Sequence, residues 1–313
     1  MPGILIDLLI IVGLVSLAFQ ALSGPSLFRG IIHFVVFGLA MALAWARIGS
    51  PDLAMAEAAI GAGLTGALMM VAYRRLVEIR PDRPVDYPSA RSRLAIPIAV
   101  GAGLLVGVIG LAATLGETQP GQAGQAVMAE LGEFGLGNPI TGVLLLFRGI
   151  DTLLEVGVLL TALLAARALA GDDSDPNSPT APEPETPLIG ALLAMVVPLT
   201  VLVATHLLRA GSHDPGGAFQ AGAVLAAAGV LLVLSGRVVA TPSAGTLIRT
   251  GLLAGLVSFI LIGLAPLVHG GDLLALPGMW AVYLIETAMM LSIAVTLILL
   301  FAGAGGLKRR HDG

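Results

Sequence analysis

Apolar residues run along this chain in long blocks, and Gly, Pro and charged positions interrupt them at intervals of about twenty residues. The hydrocarbon core of a bilayer is about 30 Å thick, which takes roughly 20 residues of helix to cross. On that criterion the pattern predicts nine spans, near residues 4–22, 28–46, 52–73, 94–115, 139–168, 187–209, 217–236, 247–268 and 279–303. The expected fold class is all-α, a polytopic membrane protein with about nine transmembrane helices. The segment DDSDPNSPTAPEPETP, residues 172–187, is acidic and rich in proline; it cannot form a packed core and is expected to be a linker between spans five and six. The loop 116–138 leaves room for a short surface helix around 127–131. These boundaries divide the chain into 1–93 with three spans, 94–170 with two, the linker 171–186, and 187–313 with four. No internal repeat of the inverted kind is evident.

The fifth span, NPITGVLLLFRGIDTLLEVGVLLTALLAARAL, carries Arg148, Asp151 and Glu155 in its interior. Offsets of three and seven residues place these side chains within an arc of roughly 60° on a regular helix. Each charge costs about 2.5–3.5 kcal/mol at bilayer depth on insertion scales, so this face is expected to meet a protein partner or a water path. An alternative is that Arg148 only neutralises the two acids. The third span opens with Ser50, Pro51 and Asp52, which suit an N-cap, a first turn and a dipole-complementing acid. Ala54, Ala58, Ala62 and Gly66 then recur every four residues, a small-residue stripe that lets another helix approach closely. Glu57 lies beside that stripe as a candidate ion-path acid or as a hydrogen-bonding partner for a neighbouring hydroxyl. In the last span Glu286 lies eight residues past Gly278, below Trp280 and Tyr283 at the expected outer interface. A glycine-rich corner joins spans six and seven, with Asp214 and Pro215 expected to cap and open the seventh helix. His33, His206 and His213 are candidate proton-relay groups, each equally explicable as a structural hydrogen-bonding histidine.

Arginine placement sets the expected orientation. Arg74, Arg75, Arg80, Arg83, Arg91 and Arg93 follow the third span and should be cytoplasmic, which puts the amino terminus outside and Lys308, Arg309 and Arg310 inside. Arg29, Arg167 and Arg237 then also fall inside, leaving mainly Arg47 and Arg209 outside. The first apolar run lacks a basic start and is expected to be a retained helix in a multi-pass protein of the cell (inner) membrane.

Composition narrows the function further. Hydrophobic residues make up 57% and charged residues 12% of the chain, and mean hydropathy is +0.96. The chain has no cysteine, which excludes disulfides, thiolate catalysis and cysteine-held clusters or zinc. No cofactor and no metal site are expected, and a net charge of -4 gives no sign of nucleic-acid binding. No paired nucleophile and base supports an intramembrane enzyme. The G-x-G-x-x-G of Gly61, Gly63 and Gly66 falls inside a spanning helix with no preceding strand, and is attributed to close packing.

Three blocks carry a family resemblance. NPITGVLLLFRGIDTLLEVGVLL resembles the FRGLDTLGE-type helix at the carboxyl end of the large Mrp antiporter subunit, shared with the E subunit of energy-converting membrane hydrogenases. SPDLAMAEAAIGAGLTGAL resembles the PDLALAEA-type helix of the hydrogenase D subunit, and RAGSHDPGGAFQAGAVLA resembles the H-x-PGGGF-x-AG signature of the Mrp B subunit. Ala218 stands where a third glycine is usual, and Leu154 replaces the Gly expected before Glu155. The resemblance implies a D-like region at 1–93, an E-like region at 94–170 and a B-like region at 187–313, fused in one chain. It further implies a non-catalytic subunit of a multisubunit Mrp-type monovalent cation (Na+)/proton antiporter, with antiporter-like large subunits, small Mrp-type subunits and membrane lipids as partners. Its ions would be Na+ and/or H+, and Glu57, Asp151, Glu155 and Glu286 would contribute to their path, with Arg148 as charge partner. The alternative is a scaffold or ion-path subunit of an Mrp-related respiratory or ion-coupled uptake complex. The family's antiporter-like subunits carry a central row of Lys, Glu and Lys, and the only lysine here is Lys308 at the carboxyl end, so this chain is not a complete antiporter by that pattern.

Overall fold

The computed structural model describes residues 2–23, 26–79, 95–115, 122–170, 187–241, 243–303 and 305–309. Arg80, Arg83, Arg91, Arg93, Arg310 and the acidic linker lie outside the described residues. Within them, seven helices are long and apolar enough to cross a membrane, and two shorter apolar stretches, Pro97–Ala112 and Ala218–Leu234, correspond to the remaining expected spans. The protein is an all-α, multi-pass membrane protein.

Helices α1 (Pro2–Ser23) and α2 (Leu27–Arg47) form an antiparallel pair, tied at one end by an Arg47–Asp7 ion pair at 2.9 Å. Ser26 caps α2 by accepting from the Arg29 amide. The third span is one continuous rod of three parts: α3 (Pro51–Ala56), a π-helical stretch Glu57–Leu64, and α4 (Thr65–Ile79). Its small-residue stripe packs on α2, where a Cβ on Gly38 would lie 3.1 Å from that of Ala62, and Ala62 is only 2% exposed. Two side chains of ordinary size could not occupy that contact, which is why small residues recur there. The helices α5 (Ala95–Leu115) and α6 (Gln122–Phe134) follow. The latter is longer than the expected surface helix and buries Leu131.

The fifth span is interrupted. A short α7 (Pro139–Gly142) runs into a π-helical stretch Val143–Phe147, the backbone departs from helical angles at Arg148 (φ -129°, ψ 34°), and α8 (Gly149–Ala170) resumes. Thr152 donates to the Leu144 carbonyl at 2.6 Å, satisfying one of the acceptors that the break releases.

In the carboxyl-terminal half, α9 (Pro187–Ala210), α10 (Ala218–Leu234), α11 (Thr246–Leu264) and α12 (Met279–Ala302) pack together. Helix α12 is apolar around most of its circumference and occupies the centre, in contact with α10, α11, α8, α9 and α4. Val282, Ile285, Met289 and Ile293 from α12 meet Phe259 from α11 and the alanines of α10 in one core. Two four-residue strands were not anticipated from the sequence: β1 (Val238–Thr241) after α10 pairs antiparallel with β2 (Gly306–Arg309) after α12. They hold the ends of α10 and α12 on the same side of the molecule. The Arg75 guanidinium lies beside Gly303, so the end of α4 is on that side too. Arg74, Arg75, Arg237, Lys308 and Arg309 therefore gather at one end, and the starts of α3, α7, α10 and α12 lie at the other.

Candidate functional site

The three motif blocks meet at the end opposite the basic residues. Asp52, in the first turn of α3, is 7% exposed. Its Oδ1 accepts from the Gly216 amide at 3.0 Å and from Asn138 Nδ2 at 3.3 Å. Its backbone carbonyl accepts from Gln220 Nε2 at 3.3 Å. Asn138 caps α7 through the Ile140 amide and also donates to the Asp214 carbonyl at 3.0 Å. The Ser212 carbonyl accepts from the amides of Gly137 and Asn138, and Thr141 donates to the Gly211 carbonyl. Asp52 thus joins three segments distant in sequence. The sequence suggested only a helix cap for it, and Ser50, in the N-cap position, makes no side-chain capping bond.

The corner between α9 and α10 folds back into the protein. The Gly217 amide donates to the carbonyl of Leu207, a residue one turn before the end of α9. Any side chain on Gly216 would collide with that same carbonyl, and Gly217 takes φ +121°, a conformation that strongly favours glycine. Helix α10 consequently begins at Ala218 with Gly217 as its N-cap, three residues later than an opening at Pro215 would give. The reason is tertiary: Gly216 N–H is committed to Asp52 and Gly217 N–H to Leu207, so neither continues a helix.

The retracted start of α10 faces Glu286. That residue is 4% exposed. A Cβ on Gly217 would lie 3.4 Å from Glu286 Oε1 and 3.5 Å from Gln220 Oε1. Glu286 Oε2 is buried and has no hydrogen-bond partner among the described residues.

A second constellation lies on the surface of the described chain. Arg148 and Asp151 pair at 2.5 Å with side chains 69% and 45% exposed. Glu155, one turn on, is also exposed and is close enough to Asp151 for mutual repulsion. The three groups do share a face, although Arg148 reaches it from the helix break and pairs with Asp151 alone.

The other predicted residues are dispersed. Glu57 is half-buried at the start of the π-helical stretch, and its carboxyl folds over Gly61 on the next turn. His33 is half-buried on α2, and its Nδ1 has no partner among the described residues. His206 is exposed on α9 and His213 exposed at the corner, where its backbone packs on Gly137. The structure does not bring the three histidines together. Among the described residues no group of three or more His, Cys, Asp or Glu could hold a metal ion. Sequence reasoning missed Asn138 and Gln220 as site-forming residues. The available signal was that polar side chains cluster at span edges that the up-and-down topology places on one side.

Fold and site define a polytopic, all-helical membrane protein with charge set into its spanning helices. Residues 12–78 match the family model for the D subunit of MBH, and residues 188–304 match the domain related to MnhB subunit of Na+/H+ antiporter. The chain thus joins a region matching the MBH D subunit and a region related to the MnhB subunit in one polypeptide. Its fold is similar to that of a chain in the Mrp complex from Dietzia sp. DQ12-45-1b, with a TM-score of 0.73 at 22% identity over 97% of this chain. This chain spans 35% of the length of that one. No curated protein matches.

Proposed function

We propose that this chain is a non-catalytic membrane subunit of a multisubunit Mrp-type monovalent cation/proton antiporter, with Na+ as the exchanged cation and with buried acids contributing to the ion path. One observation carries the reading: Arg148, Asp151 and Glu155 are exposed on the face of a helix apolar enough to span a membrane. Three charges facing lipid would cost about 2.5–3.5 kcal/mol each. An antiporter-like partner and the water between the two chains remove most of that cost. The family matches on either side of this helix support the same partner class. The interrupted backbone at Arg148 adds to it, because broken helices at membrane depth are tolerated where protein or a water-filled cavity covers them.

In this reading Glu155 and Asp151 hand ions across the interface between the two chains, Arg148 limits the charge of the pair, and Glu57 and Glu286 serve the same route deeper in the chain. The region around α5 to α8 plays the E-like part. The amino terminus faces outward and the basic end faces the cytoplasm. The decisive experiment is Glu155→Gln, which keeps side-chain size and removes titration. Cation-dependent proton movement in everted vesicles or proteoliposomes holding the full complex should fall to a small fraction of wild type, with assembly intact. Normal exchange by an assembled Glu155→Gln complex would leave this chain a scaffold.

A further inference from the structure

The buried side of the fifth span is a stripe with one gap. Leu145, Gly149, Thr152 and Val156 follow one another at helical spacing, and all four are buried. Three of them bring side chains to the contact. Gly149, the first residue after the irregular backbone at Arg148, brings none. The gap is covered from the loop between α11 and α12. A Cβ on Gly149 would lie 3.5 Å from Leu274 Cδ1 and 3.6 Å from Phe259 Cζ, both ordinary packing contacts, so the leucine and the ring lie directly over Gly149. On its other side Leu274 Cδ2 lies against Gly263, where a Cβ would collide with it. Leu274 therefore sits between glycines of two helices, α8 and α11, and the fully buried Phe259 ring completes the seat.

Leu274 reaches this seat in a strained conformation. It takes φ +63° and is the single non-glycine residue with positive φ among the described residues. In that region the Cβ of an L residue crowds its own backbone, and a bulky leucine adopts it rarely. Such a conformation persists only where the surroundings over-determine it. Here they do. Leu274 N–H donates to the Gly263 carbonyl at 2.9 Å, which fixes the loop on the end of α11. The Leu274 side chain packs against the main core, and Leu276, two residues on, is 8% exposed in that same core. A glycine at 274 would relieve the backbone and leave the seat empty, so the side chain is what the strained backbone serves.

The break in the fifth span thus has an exposed front and a supported back. Arg148, Asp151 and Glu155 are on the front, and Leu274 packs behind the same turn. Arg148 N–H donates to the Val143 carbonyl at 2.8 Å and Asp151 N–H to the Arg148 carbonyl at 2.9 Å. A shift of the backbone at Gly149 therefore moves the guanidinium and the carboxylate that pairs with it. We propose that Leu274 is a positioning residue, a wedge from the α11–α12 loop that sets the fifth-span break and with it the placement of Arg148 and Asp151. It touches no ion itself. The proposal rests on the reading that these acids exchange ions with a partner chain, and it adds the element that holds them in place.

The test uses the full complex carrying Leu274→Ala, with Leu274→Met as the variant that refills the seat. Amide hydrogen exchange is followed by mass spectrometry on peptides covering residues 143–152. It should be several-fold faster there in Leu274→Ala, return toward wild type in Leu274→Met, and stay at wild-type rates in the distant α1. In proteoliposomes holding the same complexes, the NaCl concentration that half-saturates cation-dependent proton movement should shift several-fold in Leu274→Ala and recover in Leu274→Met. A smaller population of folded complex would lower the maximal rate and leave that concentration where it was, so the shift separates positioning from lost stability. If Leu274→Ala does not assemble, Gly263→Ala carries the test, because its methyl meets Leu274 Cδ2 and displaces the side chain from the seat. Wild-type amide exchange over residues 143–152 in an assembled variant overturns the proposal, and so does an unchanged half-saturating concentration. Normal proton movement by Glu155→Gln would sink the transport reading, while amide exchange would still decide whether Leu274 sets the break.

Discussion

Replacing Asp52 by alanine removes a side chain that, with Asn138, ties the three motif blocks together. Its Oδ1 receives Gly216 N–H and Asn138 Nδ2. Asn138 keeps a second acceptor in the Asp214 carbonyl, so its loss is partial. Gly216 N–H, in a buried glycine whose Cα is crowded against the Leu207 carbonyl, has no comparable replacement. An orphaned buried donor costs about 1–3 kcal/mol, and a bond to a carboxylate is roughly twice as strong as a neutral one. Asp52→Ala should therefore destabilise the chain by about 2–3 kcal/mol, and Asp52→Asn, which keeps a neutral acceptor at Oδ1, by about 1 kcal/mol. For a two-state domain these would be thermal shifts of roughly 5–10 °C and 2–4 °C. The assay is the aggregation midpoint of detergent-extracted complex followed by size-exclusion fluorescence, with the ordering wild type, Asn, Ala as the readout. Equal midpoints for wild type and Asp52→Ala would refute the assignment of Asp52 as the tie and return it to a simple helix-dipole residue.

Further outcomes are expected at separate sites. Ala62→Leu should lower assembled yield on native gels, since the larger side chain must enter the Gly38 contact at a cost of about 1–3 kcal/mol; wild-type yield would place the stripe against lipid. Gly217→Ala should be more damaging than its size suggests, because a φ of +121° is strained for any side chain, and loss of extracted folded complex is the measurement. In this cysteine-free chain, Val239→Cys with Lys308→Cys should form a disulfide on mild oxidation, whereas Val239→Cys with Leu307→Cys, on opposite sheet faces, should not; non-reducing gels distinguish them. Cysteines placed singly at Ser178 and Gln122 should be labelled from opposite sides of the membrane, and labelling from one side would overturn the orientation taken from the arginines.

Length and periodicity of the apolar blocks were sufficient to predict an all-helical multi-pass protein, because a spanning backbone must satisfy its own hydrogen bonds and the helix does so locally. The fifth span stood out for the same local reason: three charges in an apolar run are costly wherever the run packs. Other features depended on contacts between distant segments. The small-residue stripe announced a close neighbour, and only the packing named Gly38 on α2. Asp52 carries every local mark of a first-turn acid, yet its Oδ1 is claimed by Asn138 and Gly216, from segments far along the chain, and no local pattern encodes that meeting. The same contacts commit the amides of Gly216 and Gly217 and push the start of α10 back to Ala218, which is how its dipole comes to face Glu286. Pairing of β1 with β2 also waits on the bundle, since two four-residue strands have no stability apart from the helices that bring them together. Local sequence determined which segments are helices in a membrane; the three-dimensional packing decided which acids are buried and which lie exposed on the surface of the described chain.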